Sequence, residues 1–162
     1  MEIAKLITEE EELKSIRKIN PGKKIVFTSG CFDLLHYGHI CHLEESKDLG
    51  DILVVAINSD KSVRRLKGNS KPIIPERYRV RILQAMRYVD YVFLYEEDDV
   101  CRYFKIFYPD IFSIGEESAI LFKREIEAAE EAGSEIHIVK RICDFSSTNV
   151  IRKIRENSNG YI

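Results

Sequence analysis

Hydrophobic positions along the chain follow two alternating periods. Residues 24–29 (KIVFTS) and 51–58 (DILVVAIN) are short runs rich in β-branched and aromatic side chains. The second is apolar almost throughout, as a parallel strand covered on both faces has to be. Shorter runs of the same kind stand at 91–95, 111–114 and 135–139. Between them, spacings of three and four predict helices over 8–19, 38–49, 76–88, 98–108, 119–132 and 147–156. In the first helix Thr8 and Glu11 fit a capping box, and Leu13, Ile16 and Ile19 share one side. Pro21-Gly22 ends it, and Gly50 closes the second helix as its C′ residue. Five strands alternating with helices predict a parallel sheet between α/β layers.

Composition narrows the class. A chain of 162 residues suggests one domain and can bury a sizeable core without staples. With Lys plus Arg at 25 against Asp plus Glu at 27, the basic excess that bulk nucleic-acid binding needs is missing. The acidic, amphipathic start (MEIAKLITEEEELKSIRK) is unlike a secretory signal, and no apolar run approaches the ~20 residues of a membrane span. Cysteines at 31, 41, 101 and 143 show no CxxC and no close pairing, which argues against a disulfide scaffold or zinc ribbon. Reduced thiols in a cytoplasmic enzyme are the expectation. The missing CxxC and the missing GxGxxG also count against a redox protein.

One connection is unusually long. Residues 59–75 (SDKSVRRLKGNSKPIIP) join the second strand to the next helix and carry Lys61, Arg64, Arg65, Lys67 and Lys71. Loops beyond ~12–15 residues are often lids or binding loops. At the carboxyl end of a sheet strand, ligand contact is favoured over a merely solvated basic loop.

The strongest local signal is GCFDLLHYGH over 30–39, which leaves the first strand and opens a helix. A helix N-terminus there offers unpaired N–H groups and a positive dipole end to a phosphate. Gly30 lets the chain turn off the strand, and Gly38 clears room for a nucleotide beside the backbone. His36 and His39 bracket Gly38 and can donate hydrogen bonds to phosphate oxygens as charge builds. His36, His39 and His42 are also spaced like metal ligands on a helix, but the repeat drifts around the axis and no carboxylate completes the set. Asp33 fits either catalysis or orientation of the loop through nearby N–H groups. A second segment, Arg141 to Asn149 (RICDFSSTN), follows the last strand. Ser146, Ser147 or Thr148 can cap the last helix there, on the same sheet edge. Arg79 lies near the start of the helix over 76–88, with an ion pair to Glu76 as its structural alternative.

With these residues in view, the chain resembles the cytidylyltransferase-like nucleotidyltransferases of the HxGH superfamily from about Lys5 to Ile154. Residues 30–39 are similar to its GxFDxxHxGH signature, and Arg141 with Ser146-Ser147-Thr148 to its carboxyl-terminal R-x-x-G-I-S-T-T motif. Within it, 27–33, Asn58-Ser59-Asp60, 65–68 and Pro109-Asp110 resemble the adenylyltransferase domain of bacterial ADP-heptose synthesis enzymes. Arg79 and Arg87-Tyr88-Val89-Asp90 resemble the glycerol-3-phosphate cytidylyltransferases. The chain departs from the heptose enzymes at Ser29, at 114–118 and at Asp144, where base and acceptor would be chosen.

The resemblance implies a Rossmann-like three-layer sandwich with a five-stranded parallel sheet. It implies one domain over 1–162, with a helical extension at 1–22 and the core at 23–157. The implied reaction is nucleotidyl transfer from a nucleoside triphosphate to a small phosphorylated substrate, releasing pyrophosphate. Adenylyl transfer to heptose 1-phosphate is favoured, and cytidylyl transfer to glycerol 3-phosphate or another polyol phosphate is the alternative. His36, His39, Lys67 and Arg79 are the implied catalytic residues. Gly30, Cys31, Phe32, Gly38, Arg141, Ser146, Ser147 and Thr148 are the implied nucleotide contacts. Magnesium would be held mainly by the substrate phosphates. A homodimer is also expected. Tyr103, Phe104, Phe107 and Tyr108, with Val100 and Ile106, spread wider than one helix face can bury, unless a neighbouring helix or the N-terminal helix covers the excess.

Overall fold

In the computed structural model, which describes residues 3–140 and 147–157, Ile25, Val26, Phe27 and Thr28 are all fully buried in succession. A strand sends successive side chains to opposite faces, so continuous burial requires cover on both. This strand, β2 (Ile25–Gly30), lies inside a parallel sheet with β1 (Lys5–Ile7), β3 (Ile52–Asn58), β4 (Tyr91–Tyr95), β5 (Ile111–Gly115) and β6 (Glu135–Val139). Their order is β1-β4-β3-β2-β5-β6. The helices are α1 (Glu10–Ile19), α2 (Tyr37–Asp48), α3 (Asp60–Lys67), α4 (Glu76–Gln84), α5 (Cys101–Phe107), α6 (Glu116–Leu121), α7 (Lys123–Glu131) and α8 (Ser147–Asn157).

The two faces carry separate cores. On one, Phe27, Val54, Phe93 and Phe112 meet Leu13 and Ile16 of α1, Phe104 and Phe107 of α5 and Ala129 of α7. Phe27 is its centre, with ring centroids of Phe104 at 5.3 Å and Phe107 at 5.2 Å, both edge-on. On the other, Val26, Leu53, Val55 and Val92 meet Leu43 of α2 and Val80 and Leu83 of α4. Burial of each such side chain contributes roughly 1.5–3 kcal/mol. The result is the three-layer parallel α/β sandwich expected from the sequence.

Several expectations need correction. The sheet has a sixth strand, since β1 pairs in parallel with β4 at Lys5↔Tyr91 through Ile7↔Phe93. The segment 1–22 is therefore not purely helical. Three residues are too few to show a period. The capping box is displaced by one residue: Glu9 is the N-cap of α1 with no side-chain cap, and the Thr8 N–H donates to Glu12 Oε2 at 3.0 Å, not to Glu11. The long connection is only half a loop, because Ser59 accepts from Ser62 N–H at 3.1 Å and starts α3. The helix read over 119–132 is two, broken at Phe122. The aromatic face of α5 is covered in the monomer by α1 and α7, with Tyr103, Phe104 and Phe107 buried and Tyr108 exposed. The apolar-patch reason for a dimer therefore falls away.

Candidate functional site

The strand order reverses at β2. Its partners are β3, next in the chain, and β5, which arrives only after β4. In open parallel sheets ligands bind at this switch point, beyond the carboxyl ends of the strands. The loop leaving β2 here is the GCFDLLHYGH segment. Phe32 holds a left-handed backbone, φ 46°, which a bulky residue adopts only when its surroundings hold it there. Its ring is buried and folds back, so that a Cβ on Gly30 would stand 3.2 Å from it. A side chain at position 30 would therefore press on the Phe32 ring, which would have to give by a few tenths of an ångström.

The loop delivers His36 as the residue before α2 and His39 in its first turn, with ring centroids 3.9 Å apart. The His36 N–H donates to His39 Nδ1 at 3.3 Å, which assigns the His39 proton to Nε2. Burial pushes the His39 pKa down to about 3, and electrostatic interaction with His36, His42 and Lys67 adds to the shift. His39 is therefore a neutral Nε2–H donor at the first turn of α2. His42 points elsewhere: its Nε2 meets Thr28 Oγ1 at 2.8 Å against the sheet, and burial lowers its pKa to about 4. It does not join the other two histidines as a ligand set.

Lys67 is exposed in the last turn of α3, not in a loop, and its charge reaches His39. Gly68 follows with φ 89° and turns the chain into a strap, 68–75, that returns across the loop. Lys61 and Arg65 are turned away from the site by Glu96 at 3.6 Å and Asp98 at 2.7 Å. Lys71 stands 3.8 Å from Asp33.

Arg79 is fully buried. Its Nε donates to Ile74 O at 2.8 Å, its Nη1 to Cys31 O at 2.6 Å and its Nη2 to Asp60 Oδ1 at 2.7 Å. Its partner is Asp60, not Glu76. Glu76 instead exchanges bonds with Asp60, accepting from Asp60 N–H at 2.5 Å while its own N–H donates to Asp60 Oδ1 at 2.9 Å. Sequence reading missed Asp60 as the hub joining α3 and α4. Its position two residues beyond β3, on the ligand edge, was the available signal. Cys31 is half-buried, with Sγ 3.6 Å from Asn58 Oδ1, and Gly38 lies in the first turn of α2.

Arg141 and Ser146 lie outside the described residues. Ser147 and Thr148 open α8, and their side chains are outside the description. Among the described residues no group of three or more His, Cys, Asp or Glu could hold a metal ion, and no helix is long and apolar enough to cross a membrane.

A switch-point loop that ends in a histidine pair at a helix N-terminus is the arrangement in which open parallel α/β sheets can receive an anion. The chain belongs to the cytidylyltransferase-like family, whose model matches residues 27–154. It is 42% identical over 138 residues to the bifunctional protein HldE of Citrifermentans bemidjiense, covering 85% of this chain and 28% of that one. It is 43% identical over 137 residues to the HldE of Helicobacter pylori, covering 85% and 29%. With one from Campylobacter jejuni the identity is 38% over 156 residues, covering 96% and 33%. The chain thus spans about a third of the length of the curated relatives it matches. Among solved structures, a lipopolysaccharide core biosynthesis protein from Thermoplasma volcanium is 33% identical with a TM-score of 0.58, covering 77% of this chain and all of that one. Pantoate-beta-alanine ligase from Francisella tularensis, at 16% identity and a TM-score of 0.61 over 94% of this chain and 78% of that one, shares the fold.

Proposed function

We propose that the chain transfers an adenylyl group from ATP to heptose 1-phosphate, giving ADP-heptose and pyrophosphate. The observation that carries the reading is the His36–His39 pair, 3.9 Å apart at the start of α2 on the switch-point loop. Likeness to the HldE proteins, and to a structure named for lipopolysaccharide core biosynthesis, supports a sugar phosphate as acceptor. The work is proposed to take place in the cytoplasm.

An acceptor phosphate oxygen attacks the α-phosphorus, its new P–O bond forms, and the bond to the bridging oxygen breaks as pyrophosphate leaves. The nucleophile is already anionic, so no base and no covalent enzyme intermediate is needed. Catalysis reduces to alignment and charge stabilisation. His39 Nε2–H donates to the α-phosphate or bridging oxygen, with His36 beside it. Lys67 brings positive charge from the end of α3. Gly30, Cys31, Phe32 and Gly38 line the nucleotide, while Arg141 and the 146–148 turn hold the outer phosphates. Arg79 acts by fixing Cys31 and Ile74 in place. Of the carboxylates beside the loop, Asp33 and Asp60 are committed to Ile73, Ile74 and Arg79, so a magnesium ion would ride on the phosphate oxygens. Bound there, it would neutralise triphosphate charge.

The experiment is pyrophosphate release from each of four nucleoside triphosphates against a panel of sugar 1-phosphates and polyol phosphates. Turnover with ATP and heptose 1-phosphate is expected. Turnover confined to CTP and a polyol phosphate would replace the acceptor and base assignments. No turnover with any pair would remove the reading.

A further inference from the structure

Asp33 sits three residues before His36, and its side chain is only 11% exposed. Its Oδ1 accepts from the N–H groups of Ile73, at 2.9 Å, and Ile74, at 2.8 Å. Its Oδ2 accepts from Ile73 N–H at 3.0 Å and lies 3.8 Å from Lys71 Nζ. Arg79 adds a second stitch between the same segments, bonding Ile74 O and Cys31 O. The strap, 68–75, is itself neither strand nor helix where it crosses the loop. Among the described residues, the hydrogen bonds that join it to the loop come from one carboxylate and one guanidinium.

That carboxylate controls where two lysines stand. Lys67 ends α3 just before the strap and Lys71 lies within it, so releasing Ile73 and Ile74 frees the segment that carries Lys71 and follows directly on Lys67. The strap follows β3 and α3, on the β3 side of β2. The switch-point crevice is on the other side, between β2 and β5. In-line displacement puts the entering oxygen opposite the leaving pyrophosphate. A nucleotide seated over the switch point therefore leaves the strap side for the acceptor.

We propose that Asp33 is a positioning residue. It buckles the 68–75 strap onto the signature loop, and the buckled strap forms the seat for the anionic phosphate of the acceptor rather than for the nucleotide. Lys71, within reach of Asp33, is the cation that turns to this phosphate when the acceptor enters. The acceptor half of this inference rests on the transferase reading above. The buckle itself does not.

The test has two readouts on the full chain. Amide hydrogen exchange of Ile73 and Ile74 reads the buckle without any substrate. In Asp33→Ala these amides exchange at least about tenfold faster than in wild type, while the β2 and β3 amides stay protected. Asp33→Asn, left with one acceptor oxygen, falls between the two. It also carries the test should the alanine variant lose its cooperative melt. Wild-type exchange rates at Ile73 and Ile74 in either variant would overturn the buckle. Steady-state kinetics then read the seat. Asp33→Ala raises the acceptor KM at least about tenfold, with the nucleotide KM changed less than about twofold. Asp33→Asn recovers part of the acceptor KM. Equal rises in both KM values, or a fall in kcat with both KM values unchanged, would contradict an acceptor seat. If wild type turns over no acceptor, the transferase reading fails, and the exchange rates still decide whether Asp33 holds the strap.

Discussion

Glu125 is the carboxyl group whose burial has the clearest energetic consequence. It lies in α7, 5% exposed, where α7 packs on α5, and its hydrogen bond from Val100 N–H is long at 3.4 Å. Burial pushes its pKa up from 4.5 to about 7, and nearby Asp99 adds to the rise while the Val100 bond only partly offsets it. Because the folded pKa is raised, folding favours the protonated form. The full stability is present below the unfolded value and is lost as pH climbs through about 7. The difference of about 2.5 units, at 1.36 kcal/mol per unit, corresponds to about 3 kcal/mol lost between acid and alkaline conditions. Glu125→Gln carries the neutral shape at every pH and does not incur this loss. The two proteins should melt together near pH 4, below the unfolded value. At pH 8 the variant should melt about 6–12 °C higher, at ~2–4 °C per kcal/mol for a chain of this size. All other groups titrate alike in both, so thermal melts across this range isolate Glu125. A melting difference that does not change with pH, or one that shrinks as pH rises, would refute the reasoning.

Other substitutions separate chemistry from support. His39→Ala and His36→Ala should each cut kcat at least about 10²-fold with little change in melting temperature, as removal of a transition-state donor does; steady-state kinetics check this, and near-wild-type turnover in both would remove them from the site. Lys67→Ala should slow transfer while its melt stays that of wild type, since the side chain is exposed at the end of α3; a large loss of stability with unchanged kinetics would make it structural. Arg79→Ala should destabilise by about 3–5 kcal/mol in denaturant titration, because it leaves buried partners unpaired. A stable but inactive Arg79→Ala would return Arg79 to direct contact with substrate.

Much of this was legible in the sequence for a physical reason. Strands such as Ile52–Asn58 are apolar on both faces, so parallel topology and two covering layers follow from composition alone. The signature loop was legible because phosphate binding calls for glycine, a helix start and donors at close spacing. β1 was not, because three residues show no period and its pairing with β4 spans more than 80 positions. The partners of Arg79 are not legible, because nothing local marks Cys31 and Asp60, which lie 48 and 19 residues away, over the nearer Glu76. The sequence leaves Asp33 between two roles. The choice depended on Ile73 and Ile74 N–H groups 40 and 41 positions on, in a strap whose path no pattern encodes. The break in the helix over 119–132 also left no mark, since Phe122 fits a helix as well as it ends one.

The most direct measurement mixes the purified chain with ATP, heptose 1-phosphate and magnesium, and follows pyrophosphate and the nucleotide-sugar product together, with His39→Ala in parallel. One pyrophosphate for each ADP-heptose, and a rate at least about 10²-fold lower in the variant, is the predicted result. A His39→Ala protein as fast as wild type would contradict it, as would a wild-type chain that releases no pyrophosphate from ATP or CTP with any sugar 1-phosphate or polyol phosphate.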